Sequence, residues 1–270
     1  MKEIVERYDY DRYLSALFAR GPAQAHLIAL YAFHYEIAKT VETVSQPALG
    51  LIRLQWWRET VEGIYSGQVR QHEVAIGLAR AIKEFALPRA LFDAMIEARE
   101  ADLEETPFTV MAQLQSYADA TSGNVMRLAL RILGAGDAFD AAAREAGIAY
   151  ALAGLLRALP FRAARRNLVL PLDILRDAAL APDDVFAGNA GPRIKPAIAA
   201  VAERAMTHYR AAQATSVPRR FLPALLPASL VPAVSRAVTA AGFDPFREMT
   251  DIPVHRRQWT MLGAMLMGRV

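Results

Sequence analysis

Apolar side chains recur along this chain at intervals of three and four, the spacing that lines one face of an α-helix. Proline and glycine punctuate that pattern. Pro22 opens a segment over residues 22–44 with Leu27, Leu30, Tyr31, Ile37, Ala38 and Val41 at apolar positions, and Gln46-Pro47 breaks it. A second helix is predicted over 47–65, stopped by Ser66-Gly67. A third covers 71–86 and ends before Leu87-Pro88. Pro88 starts a fourth, with Arg89, Glu97, Arg99, Glu100 and Glu104 on its solvent side, and Thr106-Pro107 ends it. Residues 109–133 and 140–160 read as two more, separated by Gly134-Ala135-Gly136-Asp137. Residues 162–173 read as a loop, and 192–216, 219–241 and 256–267 as later helices. No strand alternation persists and no repeat of fixed period appears. The pattern predicts one all-α domain over residues 1–270, built of roughly ten helices.

Composition narrows the chemistry. The 270 residues include no cysteine, which excludes a disulfide scaffold, zinc-thiolate and iron–sulfur sites, and a cysteine nucleophile. A hydrophobic share of 54% excludes disorder. The 31 basic and 28 acidic residues are interspersed, so the net charge of +3 is not a nucleic-acid footprint. Its first reading is a mixed soluble surface, its second an anionic ligand or membrane surface. The opening Met1-Lys2-Glu3-Ile4-Val5-Glu6 lacks the apolar core of a leader, and no uncharged run is long enough to span a bilayer. A cytoplasmic location is expected, with peripheral contact at the inner face of the membrane as an extension. The longest uncharged apolar run, 221–234, is interrupted by Pro223, Pro227 and Pro232. It reads as a bent segment, buried or inserted into a membrane surface.

No G-x-S-x-G, H-E-x-x-H, Walker loop or dinucleotide fingerprint is present. The histidines 26, 34, 72, 208 and 255 show no metal-ligand spacing. His34, in a long central helix, reads first as a satisfied core or cavity histidine and second as a catalytic one.

Five segments carry more information: Ala29-Leu30-Tyr31-Ala32-Phe33; Arg53-Leu54-Gln55-Trp56-Trp57-Arg58; Tyr117 with Ser122-Gly123-Asn124-Val125; the 165–173 loop with its Leu170-Pro171; and Gly242-Phe243-Asp244-Pro245-Phe246. In this order they resemble the squalene/phytoene synthase family of head-to-head prenyl transferases, over roughly residues 10–250. The resemblance implies a single isoprenoid-synthase-type helical bundle around a central apolar cavity. It also implies Mg²⁺-assisted joining of two prenyl diphosphates. That chemistry requires hard cations to neutralise the leaving diphosphate, and therefore aspartates at i and i+4 on two facing helices.

Neither aspartate motif is here. The first place reads Ala38-Lys39-Thr40-Val41-Glu42, leaving one carboxylate. Tyr35 stands in place of the arginine ahead of this first motif; the second is occupied by Ala158 and Arg162, with Ala151 and Gly154 upstream in place of polar residues. Lys39 and Arg162 put positive charge where the family holds negative charge. No metal site is therefore expected, and no cofactor; Mg²⁺ belongs only to the enzyme alternative. Lys39, Glu42 and Arg162 are expected to pair internally, since buried charges are costly unless paired. Metal-free phosphate capture and no contact are the other readings.

The degenerate branch of the family, related to a mitochondrial complex I assembly factor, shares these features. It also shares the turn at Val44-Ser45-Gln46-Pro47-Ala48-Leu49-Gly50, the Asp9-Tyr10-Asp11-Arg12-Tyr13-Leu14 segment, and Leu156-Arg157-Ala158 ahead of Pro160. The resemblance implies a non-catalytic protein acting in respiratory complex I assembly, with complex I subunits or intermediates as partners and an isoprenoid or lipid as ligand. The alternative is an active phytoene or squalene synthase. Ligand-contact candidates are Tyr31, His34, Tyr35, Arg53, Trp57, Arg157, Arg165 and Arg166. Trp56-Trp57 reads first as packing and second as cavity lining. Arg165-Arg166 reads equally as an anion contact or a solvated loop. Arg58 and Glu62 are expected to form an exposed i,i+4 pair.

Overall fold

The computed structural model describes all residues except Ser45, Glu248, Met249 and Asp251. Its described residues form helices and turns, with no strand among them. The centre is α3, Ala23–Ala38, after the short α1, Lys2–Tyr8, and α2, Tyr10–Ala16. Leu27 through His34 are all buried, so α3 is enclosed on every side, as a helix apolar all round must be. Lys39 ends it, and a four-residue α4, Thr40–Thr43, follows where the sequence pattern reads as one continuous helix to 44. The helix α5, Pro47–Tyr65, has the predicted bounds. Trp57 at its centre is 1% exposed and meets Phe33 edge to face, with ring centres 5.4 Å apart.

α6, Glu73–Phe85, and α7, Arg89–Ala98, follow as expected, but α7 tightens into a 3₁₀ turn over Arg99–Leu103. In that geometry residues i and i+3 align. Arg99 and Asp102 therefore share the inner edge, and Arg99, expected on the solvent side, is 7% exposed. The predicted 109–133 helix is α8, Met111–Ala118, joined to α9, Asn124–Ile132, through a π-helical turn over Asp119–Gly123. α10, Asp140–Ala163, runs past Pro160 by one turn, because only the last turn loses a donor. α10 lies against this π turn, α9 and α13, Ile194–Gln213. The contact with the π turn is backbone on backbone: a Cβ at Gly147 would stand 2.4 Å from the Cα of Gly123.

The 162–173 loop is shorter than expected, giving way to α11, Leu172–Asp177, and then α12, Pro182–Phe186. The predicted 219–241 helix is a correction. Pro223 and Pro227 remove the amide donors that an α-helix needs. Two 3₁₀ turns, Arg219–Ala224 and Leu226–Leu230, result, and only Val231–Val238, α14, is α-helical. Phe221 through Val231 are buried, so this run is core and not an inserting surface. α15, Val254–Met267, packs against the second of these turns and α2. No helix among the described residues is long and apolar enough to cross a membrane.

Candidate functional site

The inward face of α10 presents Ala151, Gly154, Leu155, Ala158 and Arg162, residues three or four apart, to a cavity of about 210 Å³. α3 contributes His34 and α2 contributes Arg12. Tyr117, Thr121 and Ser122 come from α8 and the π turn, Arg99 from the 3₁₀ turn, and Tyr150 and Arg157 complete the wall. The expected central cavity thus carries four guanidinium groups on its wall.

Three aspartates organise them. Asp102, 3% exposed, accepts from Arg162 at 2.9 Å, Arg99 at 3.1 Å and the Tyr117 hydroxyl at 2.7 Å. Burial alone would raise the Asp102 carboxyl, but Arg162 and Arg99 outweigh it and hold it below the usual carboxylate range. Arg162 also donates to Asn167 Oδ1 at 2.8 Å, and Asn167 donates to the carbonyls of Asp102 and Glu104. Asp9 accepts from Arg12 at 2.9 Å, and Arg12 donates to Ser122 at 2.8 Å. Asp11, also 3% exposed, accepts from Tyr150, Arg157 and Arg257 at 3.1, 3.3 and 2.9 Å. Five arginines therefore meet three aspartates here, and the cluster is net positive.

His34 is neutral in this setting. Burial, Arg12 and Arg99 all lower its affinity for a proton, well below the ordinary value. Arg99 Nη2 lies 2.9 Å from His34 Nε2, and a guanidinium can only donate. The proton therefore sits on Nδ1, which has no hydrogen-bond partner and stands 3.9 Å from Asp9 Oδ2. Burial likewise raises the Tyr117 and Tyr150 hydroxyls and pushes Tyr31 up to about 12.

The two segments expected to correspond to the aspartate motifs meet outside this cavity. Glu42, Ala158, Arg162 and Arg165 line a common space of about 310 Å³, with Phe161 at its edge. The expected Lys39–Glu42–Arg162 grouping does not form. Lys39 pairs with Glu36 at 2.5 Å, one helical turn back on α3, and Arg162 turns inward to Asp102. Glu42 is exposed and has no ion-pair partner among the described residues. One exposed carboxylate beside Arg162 and Arg165 does not fit a cluster of hard cations. No three His, Asp or Glu side chains converge on a metal position among the described residues.

Of the contact candidates, His34 and Arg157 line the central cavity, and Arg165 lines the outer space. Tyr31 and Trp57 are core. Ala38 lines neither space. Tyr35 stacks on Tyr8, with ring centres 4.8 Å apart. Arg53 donates to Thr43 at 3.1 Å. Arg166 is exposed and paired with Glu105 and Asp183. Arg58 reaches Glu100 rather than Glu62. In the Val44–Gly50 turn, Ser45 lies outside the described residues. Residues that sequence reasoning missed as site members are Arg12, Arg99, Asp102 and Tyr150. The available signal was the i,i+3 spacing of Asp9 with Arg12 and of Arg99 with Asp102.

This helical bundle, with an interior cavity walled by its central helices, is of the isoprenoid-synthase type. The chain belongs to the squalene/phytoene synthase family, whose pattern matches residues 5–262. It is 30% identical over 247 residues to "NADH dehydrogenase (ubiquinone) complex I, assembly factor 6" of Mus musculus, covering 90% of this chain and 74% of that one. It is 30% identical over 169 residues to the phytoene synthase of Thermus thermophilus, covering 63% and 58%. Among solved structures, squalene synthase HpnC from Alicyclobacillus acidocaldarius superposes with a TM-score of 0.78 at 20% identity, over 90% of this chain and 93% of that one. A dehydrosqualene synthase in complex with ligand gives 0.84 at 15% identity, over 98% and 94%.

Proposed function

We propose that this chain is a non-catalytic member of the family that acts in the assembly of respiratory complex I, with complex I subunits or assembly intermediates as its partners. The observation that carries the reading is the fate of the two motif places. Arg162 is tied to the buried Asp102, and Lys39 to Glu36, so positive charge stands where diphosphate-bound cations would need carboxylates. The similarity to the complex I assembly factors supports the role. The family fold and the guanidinium groups in its cavity support a ligand with an anionic head and an apolar chain, such as an isoprenoid or another lipid, held without Mg²⁺ or any other cofactor. The reading places the chain on the cytoplasmic side, without a spanning helix.

Purified protein with farnesyl or geranylgeranyl diphosphate and Mg²⁺ is expected to form no C30 or C40 product. Clear turnover would establish the synthase alternative, which the phytoene synthase relatives favour. A deletion strain is expected to lose complex I activity while keeping its carotenoids and hopanoids. Normal complex I activity in that strain removes the assembly role.

A further inference from the structure

Among the described residues the outer face of α15 has large apolar side chains left exposed. Trp259, Leu266 and Met267 are 70%, 67% and 65% exposed. Trp259 and Leu266 are seven residues apart, two turns on the same side, with the half-buried Leu262 between them. Met261, Ala264 and the inward-turned Arg257 occupy the opposite side, so the helix is docked and its bulky apolar stripe still faces out.

Arginines frame this stripe. Arg256 stands at its first turn and is exposed. At the other end Arg219 donates to the Leu266 carbonyl; Arg220 follows Arg219 in sequence, Arg269 follows Leu266 by three residues, and both are exposed. Among the described residues none of Arg219, Arg220, Arg256 and Arg269 makes an ion pair. The charge asymmetry extends to the whole C-terminal quarter. Residues 204–270 hold nine arginines against three carboxylates, while residues 1–203 hold 22 basic against 25 acidic residues. Of those nine, Arg210, Arg247 and Arg257 are paired with Glu203, Asp244 and Asp11.

We propose that this face is a docking surface for an anionic lipid bilayer, with Trp259, Leu266 and Met267 entering the interface and Arg219, Arg220, Arg256 and Arg269 meeting phosphate headgroups. Charge decides between a bilayer and a second copy of the chain. Two copies related by symmetry would bring these arginines without ion pairs against one another, whereas an anionic surface neutralises them. Tryptophan suits the headgroup level, because its ring is apolar and its N–H remains solvated. The surface is distinct from the cavity, and its test does not depend on the role in complex I assembly.

The test is flotation of the full chain with vesicles of phosphatidylcholine alone, and with about a third phosphatidylglycerol. The chain is expected to float with the anionic vesicles only, and salt is expected to weaken it. Trp259 emission is expected to shift to the blue on binding, with Trp259→Phe as the spectral control for Trp56 and Trp57. Arg219→Gln, Arg220→Gln and Arg256→Gln together should lower anionic-vesicle affinity on the order of a hundred-fold, at about five-fold per arginine. Trp259→Glu with Leu266→Glu should lower it by roughly ten-fold or more. All five positions are exposed, and an unchanged circular-dichroism spectrum verifies folding. Equal binding to neutral vesicles, equal binding by the glutamate variant, or no binding overturns the proposal. So does a concentration-dependent dimer that the glutamate variant abolishes.

Discussion

Replacing Arg162 with methionine tests whether its contact with Asp102 is a stability element. Arg162 Nη1 gives one hydrogen bond to Asp102 at 2.9 Å and one to Asn167 at 2.8 Å. Breaking a buried ion pair by removing one partner costs about 3–5 kcal/mol when the other charge is stranded. Asp102 is not fully stranded, since Arg99 and Tyr117 remain at 3.1 and 2.7 Å. The loss is then two hydrogen bonds from a charged donor, worth about 1.5–3 kcal/mol each, less the desolvation that the buried guanidinium no longer costs. An expected cost of about 3 kcal/mol is a large share of the roughly 5–15 kcal/mol that holds a domain together.

Urea unfolding at neutral pH, followed by circular dichroism, reads this as a fall in midpoint at unchanged slope. Asp102→Asn alone should cost at least as much, because it leaves two arginines without their carboxylate. The double variant should cost about 2–3 kcal/mol less than the sum of the singles, the signature of direct coupling. The acid limb gives a second check. Asp102 titrates below its ordinary value, so its contribution is present above about pH 4 and is lost as pH falls through the lower native value. That limb should shrink in Arg162→Met. A cost below about 1 kcal/mol, or strictly additive singles, would refute the reasoning.

Two further predictions concern nearby groups. Gly147→Ala should destabilise by about 2–3 kcal/mol, since its Cβ would meet Gly123 backbone. Gly154→Ala on the same helix, whose Cβ meets nothing within 4 Å, should gain about 1 kcal/mol; equal effects in thermal denaturation would discredit the close-approach argument. His34 excludes a proton that the unfolded chain binds below about pH 6.5, so stability is complete above that pH and falls below it by about 1.4 kcal/mol per unit. His34→Gln, which keeps an acceptor for Arg99, should flatten that slope, and parallel curves would show that His34 is protonated in the fold.

The fold was legible where one local rule acts alone. Pro47 and Ser66-Gly67 bracket α5 to the residue. Local rules conflict over 219–241, where apolar spacing suggests a helix and the prolines forbid most of it. The site was legible as charge: of residues 38, 39, 42, 158 and 162 only Glu42 is acidic, while Lys39 and Arg162 are basic. What Arg162 pairs with was not legible, because Asp102 lies far from it in sequence. Arg162 is 60 residues from Asp102, and Arg99 is 65 from His34. No periodicity within a single helix encodes such a pairing. Arg99 in particular follows an amphipathic pattern that continues smoothly in sequence, while the backbone changes to a tighter turn at that point.

Asp11 joins the two ends of the molecule. Its contact with Arg257 closes a loop of 246 residues, and with Arg157 one of 146. Closing such a loop costs entropy before its contacts return any energy, and slowly forming long-range contacts come late. Part of the attachment of the C-terminal helix therefore depends on a contact with the opposite end of the chain, besides its nearer packing on the 226–230 turn. One buried carboxylate thus ties the sealing of the cavity wall to the attachment of the helix that carries Trp259.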